Sequence, residues 1–304
     1  ESKVDFLASR DRWFRPVMVR TGPDGALWVV DMYRYMIEHP QWLPKNGQDE
    51  LRPYFRHGQQ HGRIYRIFPA EAGPRKWPKL QGSTPEDLVK HLEHPNGWVR
   101  DTAQQLLVDA RGGKVVDGLR RLARSSRVAL GRLHALCTLE GLGQLDVPTL
   151  EAALEDSQPG VRRQAVRLSA KIKPVLLVGR EDADPSVRLE LAVGVSQGAD
   201  IARLAADKDP WIAAAAMSSI DSGNVIAALE ASLHSPALFS SLGAQAVSWK
   251  KGAEAAGLLE RYLSVAKTSD KLRLAEAWLK RADPRSAPTE VLGVADSNPP
   301  IIKT

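Results

Sequence analysis

The pattern of apolar and polar positions changes its period once along the chain. In the first part it alternates. Arg15-Pro16-Val17-Met18-Val19-Arg20 and Ala26-Leu27-Trp28-Val29-Val30-Asp31 are short runs rich in β-branched and aromatic residues, separated by Thr21-Gly22-Pro23-Asp24-Gly25. The Pro-Asp-Gly sequence is a strong turn signal, so the two runs predict a β-hairpin. A long stretch without period follows from Tyr33 to Gly62, and Arg63-Ile64-Tyr65-Arg66-Ile67-Phe68 then alternates as a third strand would. One small sheet with open edges and apolar strands is marginal alone and needs neighbours. From Thr84 onward the period is helical. Ser83-Thr84-Pro85-Glu86-Asp87 places Pro and two acids in a first turn, and apolar residues recur at helical spacing beyond it. The expected fold is therefore mostly α, preceded by a small antiparallel β segment.

The helical part repeats a short unit: a turn with Pro or Asp, then a helix carrying Val-Arg and a small residue. It occurs at His94-Pro95-Asn96-Gly97-Trp98-Val99-Arg100 with Ala103, at Asp156-Ser157-Gln158-Pro159-Gly160-Val161-Arg162 with Ala165, and at Asp182-Ala183-Asp184-Pro185-Ser186-Val187-Arg188 with Ala192. In Asp207-Lys208-Asp209-Pro210-Trp211-Ile212 with Ala216 the Arg is replaced by Ala213, and a degenerate copy surrounds Gly131-Arg132 with Ala135. The steps between Val99, Gly131, Val161, Val187 and Ile212 are 32, 30, 26 and 25 residues. A unit this small cannot bury its own apolar face, so copies must stack. The units resemble short HEAT repeats, which predicts an α-solenoid of helical hairpins, with a blurred sixth copy near His234-Ser235-Pro236. The predicted organisation is a β segment over residues 1–70, a linker over 71–83, the solenoid over 84–283 with a closing hairpin from Leu258 to Lys280, and a Pro-rich linker over 284–304.

Composition sharpens this division. Of 18 Phe, Trp and Tyr residues, 12 lie in residues 1–80, which also carry 14 Lys and Arg against 9 Asp and Glu. Residues 81–304 carry 28 against 27, so the net charge of +6 belongs mainly to the first quarter and the helical part shows no basic stripe for nucleic acid. No run approaches the roughly 18 apolar residues of a membrane helix. The single cysteine, Cys137, excludes an internal disulfide framework, an all-Cys zinc site and a C-x-x-C-H haem attachment. Without an initiator Met or an apolar leader at Glu1, the sequence reads as an internal piece of a longer product.

The first segment carries a more specific likeness. Trp13-Phe14-Arg15-Pro16, Gly22-Pro23-Asp24-Gly25-Ala26-Leu27-Trp28-Val29-Val30-Asp31-Met32-Tyr33-Arg34, Ile37-Glu38-His39-Pro40-Gln41-Trp42-Leu43-Pro44 and His61-Gly62-Arg63-Ile64-Tyr65-Arg66-Ile67 closely resemble the last β-propeller blade of the Planctomycetes/Verrucomicrobia-type membrane-bound dehydrogenases, relatives of the glucose/sorbosone dehydrogenases. The resemblance implies that the parent oxidises a sugar or other alcohol with pyrroloquinoline quinone and calcium, is exported to the periplasm or cell surface, and has a haem c domain downstream. The solenoid would then space the propeller from that domain, its partners being the rest of the propeller and a protein on the HEAT surface. No cofactor is expected in this chain by itself. The rival reading is a non-enzymatic HEAT module that binds a protein, its open end capped by the β segment.

Candidate chemistry is concentrated near the blade. A quinone with several carboxylates needs Arg or Lys clamps, and Arg15, Asp31 and Arg34 stand where a central-face cluster is expected; for each the alternative is a structural ion pair or loop anchor. No catalytic residue and no metal site is assigned. His57 and His61, four apart, would bind a metal only if helical there, and His91 and His94 read as capping or exposed residues. Cys137, in an apolar stretch, reads as a core thiol. The repeat arginines Arg100, Arg162 and Arg188 are expected to pair with an Asp of the neighbouring repeat rather than to line a ligand surface.

Overall fold

A computed structural model describes residues 5–271 except 72, 74, 75, 111, 112, 266 and 270. Three strands come first: β1 (Pro16–Thr21), β2 (Leu27–Asp31) and β3 (Arg63–Ile67). They form one antiparallel sheet in the order β1-β2-β3, with Val19 opposite Val29 and Val29 opposite Tyr65. The long insertion between β2 and β3 contains 3-10 turns and one short helix, α1 (Lys45–Leu51).

The helices that follow are α2 (Pro85–His91), α3 (Gly97–Asp109), α4 (Val116–Ser125), α5 (Ala129–Gly141), α6 (Val147–Leu154), α7 (Pro159–Ile172), α8 (Pro185–Gly194), α9 (Gly198–Ala205), α10 (Pro210–Ser218), α11 (Val225–Ala231), α12 (Pro236–Ser248) and α13 (Gly252–Val265). The architecture is mostly helical with a small N-terminal antiparallel sheet, as the pattern predicts. The proposed closing segment to Lys280 is described only through its beginning in α13, and residues 284–304 lie outside the described residues. Among the described residues no helix is long and apolar enough to cross a membrane.

The chain forms two compact units, residues 1–119 and 120–304. In the first unit, the turn between β1 and β2 is built around Asp24. Its Oδ1 accepts from the Ala26 N–H and the Trp28 indole N–H, each at 3.2 Å, and its Oδ2 pairs with Arg66 on β3. Burial works to raise the Asp24 pKa, but the donors from Ala26, Arg66 and Trp28 outweigh it and hold the carboxyl below its ordinary value. Gly22 in that turn has no alternative, since a Cβ there would stand 2.2 Å from the Trp28 Nε1. The first helical hairpin, α2 and α3, is fastened to this turn by Asn96. Its Nδ2 donates to the carbonyls of Gly22 and Pro23 at 3.0 Å while its Oδ1 caps α3 at the Trp98 N–H.

In the second unit the repeats stack as their spacing predicts. α5, α7, α8 and α10 pack in succession, and α9, α11 and α13 pack against one another in turn. The residues of the repeat signature make the contact: Val161, Ala165, Val187, Ala192, Ile212 and Ala216 are all buried. Helix starts follow local chemistry. Asp184 and Asp209 cap the N–H groups of Ser186 and Trp211, and Pro185 and Pro210 occupy the next position, where no N–H is needed.

The hairpins are joined by a ladder. Arg132 donates from Nε and Nη2 to the two oxygens of Asp156 at 2.6 and 2.7 Å, and Arg162 does the same to Asp182 at 2.7 and 2.8 Å. Arg188 donates to Asp207 at 2.7 Å. Arg162 and Arg188 therefore pair with the Asp of the next turn. Arg100, in the first unit, donates instead to the carbonyls of His94 and Pro95 in its own turn.

The period shortens in two ways. Between α7 and α8 the first helix of the hairpin is only a 3-10 turn, Pro174–Leu177, and the step is 26 residues; the next step, 25 residues, keeps a first helix but follows a second helix, α8, of 10 residues against 14 in α7. The following first helix, α9, comes so close to α11 that a Cβ on Gly198 would lie 2.4 Å from the Ala228 nitrogen.

Two outcomes follow for stability. Arg162→Ala leaves the mostly buried Asp182 without its partner and is expected to cost about 2–3 kcal/mol in urea unfolding. The pair with Arg162 holds the Asp182 pKa below the ordinary aspartate value of 3.8, so its stabilisation is present above that pH and is lost as the pH falls through the lower folded value. Wild type should lose stability over that acid range more steeply than Arg162→Ala. Gly198→Ala is expected to destabilise by about 1–3 kcal/mol, because the backbone of α11 must move. A neutral result in thermal unfolding would show that α9 and α11 separate freely.

Candidate functional site

The end of the sheet where β2 finishes is organised by Asp31, which is 1% exposed. Its Oδ1 accepts from the backbone N–H groups of Arg15 at 2.7 Å and Tyr33 at 2.8 Å, and the Met32 N–H donates to the Arg15 carbonyl at 3.0 Å. The other oxygen, Oδ2, is buried and has no hydrogen-bond partner among the described residues. Asp31 therefore ties the chain before β1 to the chain leaving β2.

Beyond Asp31 the backbone turns sharply. Tyr33 adopts a φ of 47°, and Gly58 (φ 89°) passes so close that a Cβ there would stand 2.2 Å from the Tyr33 carbonyl. The Tyr35 N–H donates to the His57 carbonyl at 3.3 Å, and the Arg34 guanidinium donates to the Phe55 carbonyl at 3.1 Å. The insertion is thereby folded back onto the end of the sheet.

These close approaches gather rings. Trp13 lies 5.6 Å from Tyr33, 5.8 Å from Tyr35 and 6.4 Å from His57, and Tyr54 contacts both Tyr35 and His57. The Arg63 guanidinium sits 3.7 Å over the Tyr33 ring, a cation–π contact. The Tyr33 hydroxyl hydrogen-bonds the Asp11 carboxylate, which raises the phenol pKa; Asp11, held first by the Trp13 N–H and then by Tyr33, is lowered. Trp13 and Tyr33 are half-buried in this cluster, whereas Tyr35, Tyr54 and His57 are exposed.

Of the three residues expected at the centre, Arg15 and Asp31 are brought together, through the Arg15 main chain. The Arg15 guanidinium turns to the carbonyls of Arg12 and Phe14, and that of Arg34 to Phe55. Two guanidinium heads on backbone carbonyls and one carboxylate do not by themselves form a clamp for an anion, since Asp31 repels a ligand carboxylate.

The remaining candidates fall elsewhere. His57 lies in a turn and His61 in the irregular chain just before β3, and both take a place among the rings, His57 against Trp13 and Tyr54 and His61 against Tyr33. His94 Nδ1 accepts the Asn96 N–H at 3.0 Å, which helps cap the start of α3. Among the described residues no group of three or more His, Cys, Asp or Glu side chains could hold a metal ion. Cys137 on α5 is partly buried rather than fully enclosed. Burial first, with help from Glu140, pushes its thiol pKa up to about 11, so it is protonated at neutral pH.

Sequence reasoning missed the ring cluster. Its signal was the concentration of aromatic residues before residue 80, which shows abundance but not which rings meet. A cleft of about 680 Å³ also lies in the first unit, between the Asp24 turn and the start of α3, with Lys76, His94 and Asn96 on its walls. It too depends on contacts distant in sequence.

Residues 1–71 match a family model described as a domain of unknown function, DUF7133. No curated protein and no solved structure matches the chain.

The role of Asp31 can be separated by two substitutions. Asp31→Ala leaves the Arg15 and Tyr33 amides without their acceptor and is expected to cost about 2–4 kcal/mol. Asp31→Asn keeps an acceptor for both and should cost less than half as much. If the two are equally damaging in urea unfolding, the charge on the unpaired oxygen, and not the pairing of the amides, is what the fold requires.

Proposed function

We propose that this chain is part of an exported quinone-dependent dehydrogenase of sugars or other alcohols, its sheet one blade of a larger propeller and its helical repeats a spacer toward an electron-accepting haem domain. The observation that carries the reading is the state of the sheet. Among the described residues it has three strands, where a propeller blade has four, and apolar side chains on its outer strands face solvent: Val17, Met18, Val19 and Ile64 are 49–63% exposed. Met18, Val30 and Ile64 stand side by side on one face by the strand register, an apolar row that further sheet would cover. The likeness of residues 13–67 to such a blade supplies the chemistry.

Pyrroloquinoline quinone supplies two-electron oxidation when bound. Arg15, Asp31 and Arg34 do not form an anion clamp in this unit, so its carboxylates would be held by groups of other blades, and no step is assigned to these three residues. What the unit contributes is the rigid floor of the blade end, with Asp31 fixing the main chain of Arg15 and Tyr33.

One observation favours the rival reading of a free-standing interaction module. Asn96 fastens the β turn to the first helical hairpin, as a cap on the end of a repeat stack would be fastened. The readings separate experimentally. The complete gene product, reconstituted with pyrroloquinoline quinone and calcium, should reduce a redox dye when given aldoses or alcohols. Absence of quinone-dependent turnover, together with full resistance of residues 13–68 to limited proteolysis in the 304-residue chain, would favour the module.

A further inference from the structure

The second unit buries equivalent positions in α7, α8 and α10, Val161 and Ala165, Val187 and Leu191, Ile212 and Ala216, but exposes different residues on the same helices. On its α-helices, the large apolar side chains left exposed, Leu130, Ile172, Leu189, Val193 and Trp211, all sit on α5, α7, α8 and α10, the second helices of their hairpins. The first helices α6, α9, α11 and α13 leave no large apolar side chain exposed among the described residues. One side of the stack is thus apolar in patches and the other is not.

The ladder fixes how these patches align. Arg162, Arg188 and Ala213 hold equivalent places in α7, α8 and α10. One and five residues further on, α7 has Arg163 and Arg167, whereas α8 has Leu189 and Val193. Arg163 lies 3.9 Å from Glu190, so the two rows adjoin across the packed pair α7 and α8. Lys171 extends the α7 row by one turn and pairs with Glu140. Arg167, in the middle, is exposed and has no carboxylate partner among the described residues. Beyond α8, which packs on α10, Trp211 is 77% exposed beside small residues, with Val193 at 63% and Leu189 at 40%.

We propose that this face is a docking surface for an acidic segment of a partner protein, its carboxylates on Arg163 and Arg167 and its aliphatic or aromatic side chains on Leu189, Val193 and Trp211. Charge complementarity selects this occupant. Glu140 and Glu190 border the cationic row at Lys171 and Arg163 but leave its centre uncompensated, and the adjoining row is apolar without a charge of its own beyond Glu190. A nucleic acid would need a longer cationic track than three side chains on one helix. A basic segment would meet Arg167 unscreened. An exposed Trp among small residues, on a helix packed against the one that carries exposed branched aliphatic side chains, is the composition of an interface anchor. The surface is independent of the dehydrogenase reading, and its failure would leave that reading untouched.

The test uses the full 304-residue chain and a fluorescein-labelled peptide of about twelve residues alternating Glu with Leu and Phe. Anisotropy should show saturable binding that weakens with salt, and the same peptide with Lys in place of Glu, or Ser in place of Leu and Phe, should not bind. Arg163→Glu with Arg167→Glu, and separately Trp211→Ala, should each weaken binding about tenfold or more, while Arg261→Glu on α13 changes nothing. Should a variant fail to fold by circular dichroism, photocrosslinking of the peptide to wild type decides: adducts on α7, α8 or α10 support the surface, and adducts elsewhere overturn it. Equal binding of the Lys peptide, no saturable binding, or self-association of the chain that buries Trp211 would also overturn it.

Discussion

One residue type in one place does most of the organising in the helical part: the Asp that opens the turn before the second helix of a hairpin. Asp156 and Asp182 each do three things at once. The carboxylate takes a forked guanidinium from the preceding hairpin, Arg132 or Arg162. The same carboxylate accepts a backbone N–H two residues on, Gln158 or Asp184, which shapes the turn. The carbonyl of the same residue then accepts from the next ladder arginine, Arg162 or Arg188. Desolvating such a pair is costly, and it is offset here because the charged groups meet matched partners in a geometry that the turn itself imposes. Turn, stacking and register are therefore not three separate requirements but one.

That coupling explains what the repeats can vary. Once the turns set the register of α7, α8 and α10, the first helices of the hairpins are free to change length. Between α7 and α8 the helix shrinks to Pro174–Leu177, and the loss of helical turns is met by Asp200, whose two oxygens accept the Gly179 N–H at 3.0 and 3.1 Å. The ladder stops at α10, where Ala213 replaces arginine. Further along, packing takes over, with Phe239 of α12 stacked on Tyr262 of α13 at 4.3 Å and 9°. The shift from ionic to aromatic stacking coincides with the loss of the sequence signature.

This is also the physical reason why the helical half was legible in the sequence and the β half was legible only in outline. The signature Val-Arg with a small residue recurs because each copy meets nearly the same surroundings, so a local pattern encodes a contact with the next copy. The three strands were equally plain, since alternation and the Pro-Asp-Gly turn are local. What could not be read was anything that joins distant segments through residues used once: Asn96 reaching the Gly22 and Pro23 carbonyls, Asp24 reaching Arg66, or Gly58 lying under Tyr33. Arg15, Asp31 and Arg34 illustrate the limit. Proximity of Arg15 to Asp31 was inferable from the hairpin, but a main-chain bond, and guanidinium heads turned to carbonyls, depend on the fold of a loop without period.

The same contrast bears on where specificity lies in such a molecule. Three residues beyond the ladder position each repeat keeps a fully buried apolar residue, Ala165 in α7, Leu191 in α8 and Ala216 in α10, and each hairpin must pack it away from water. The exposed positions one and five residues beyond the ladder arginine carry no such constraint, and there α7 has two arginines where α8 has leucine and valine. Stability holds one face of each second helix fixed and leaves the other to differ from hairpin to hairpin. A difference that packing does not require, set on a frame whose register the ladder fixes, is a surface whose chemistry the stack's own stability does not dictate, and the juxtaposition of cation and apolar rows on α7 and α8 is such a difference.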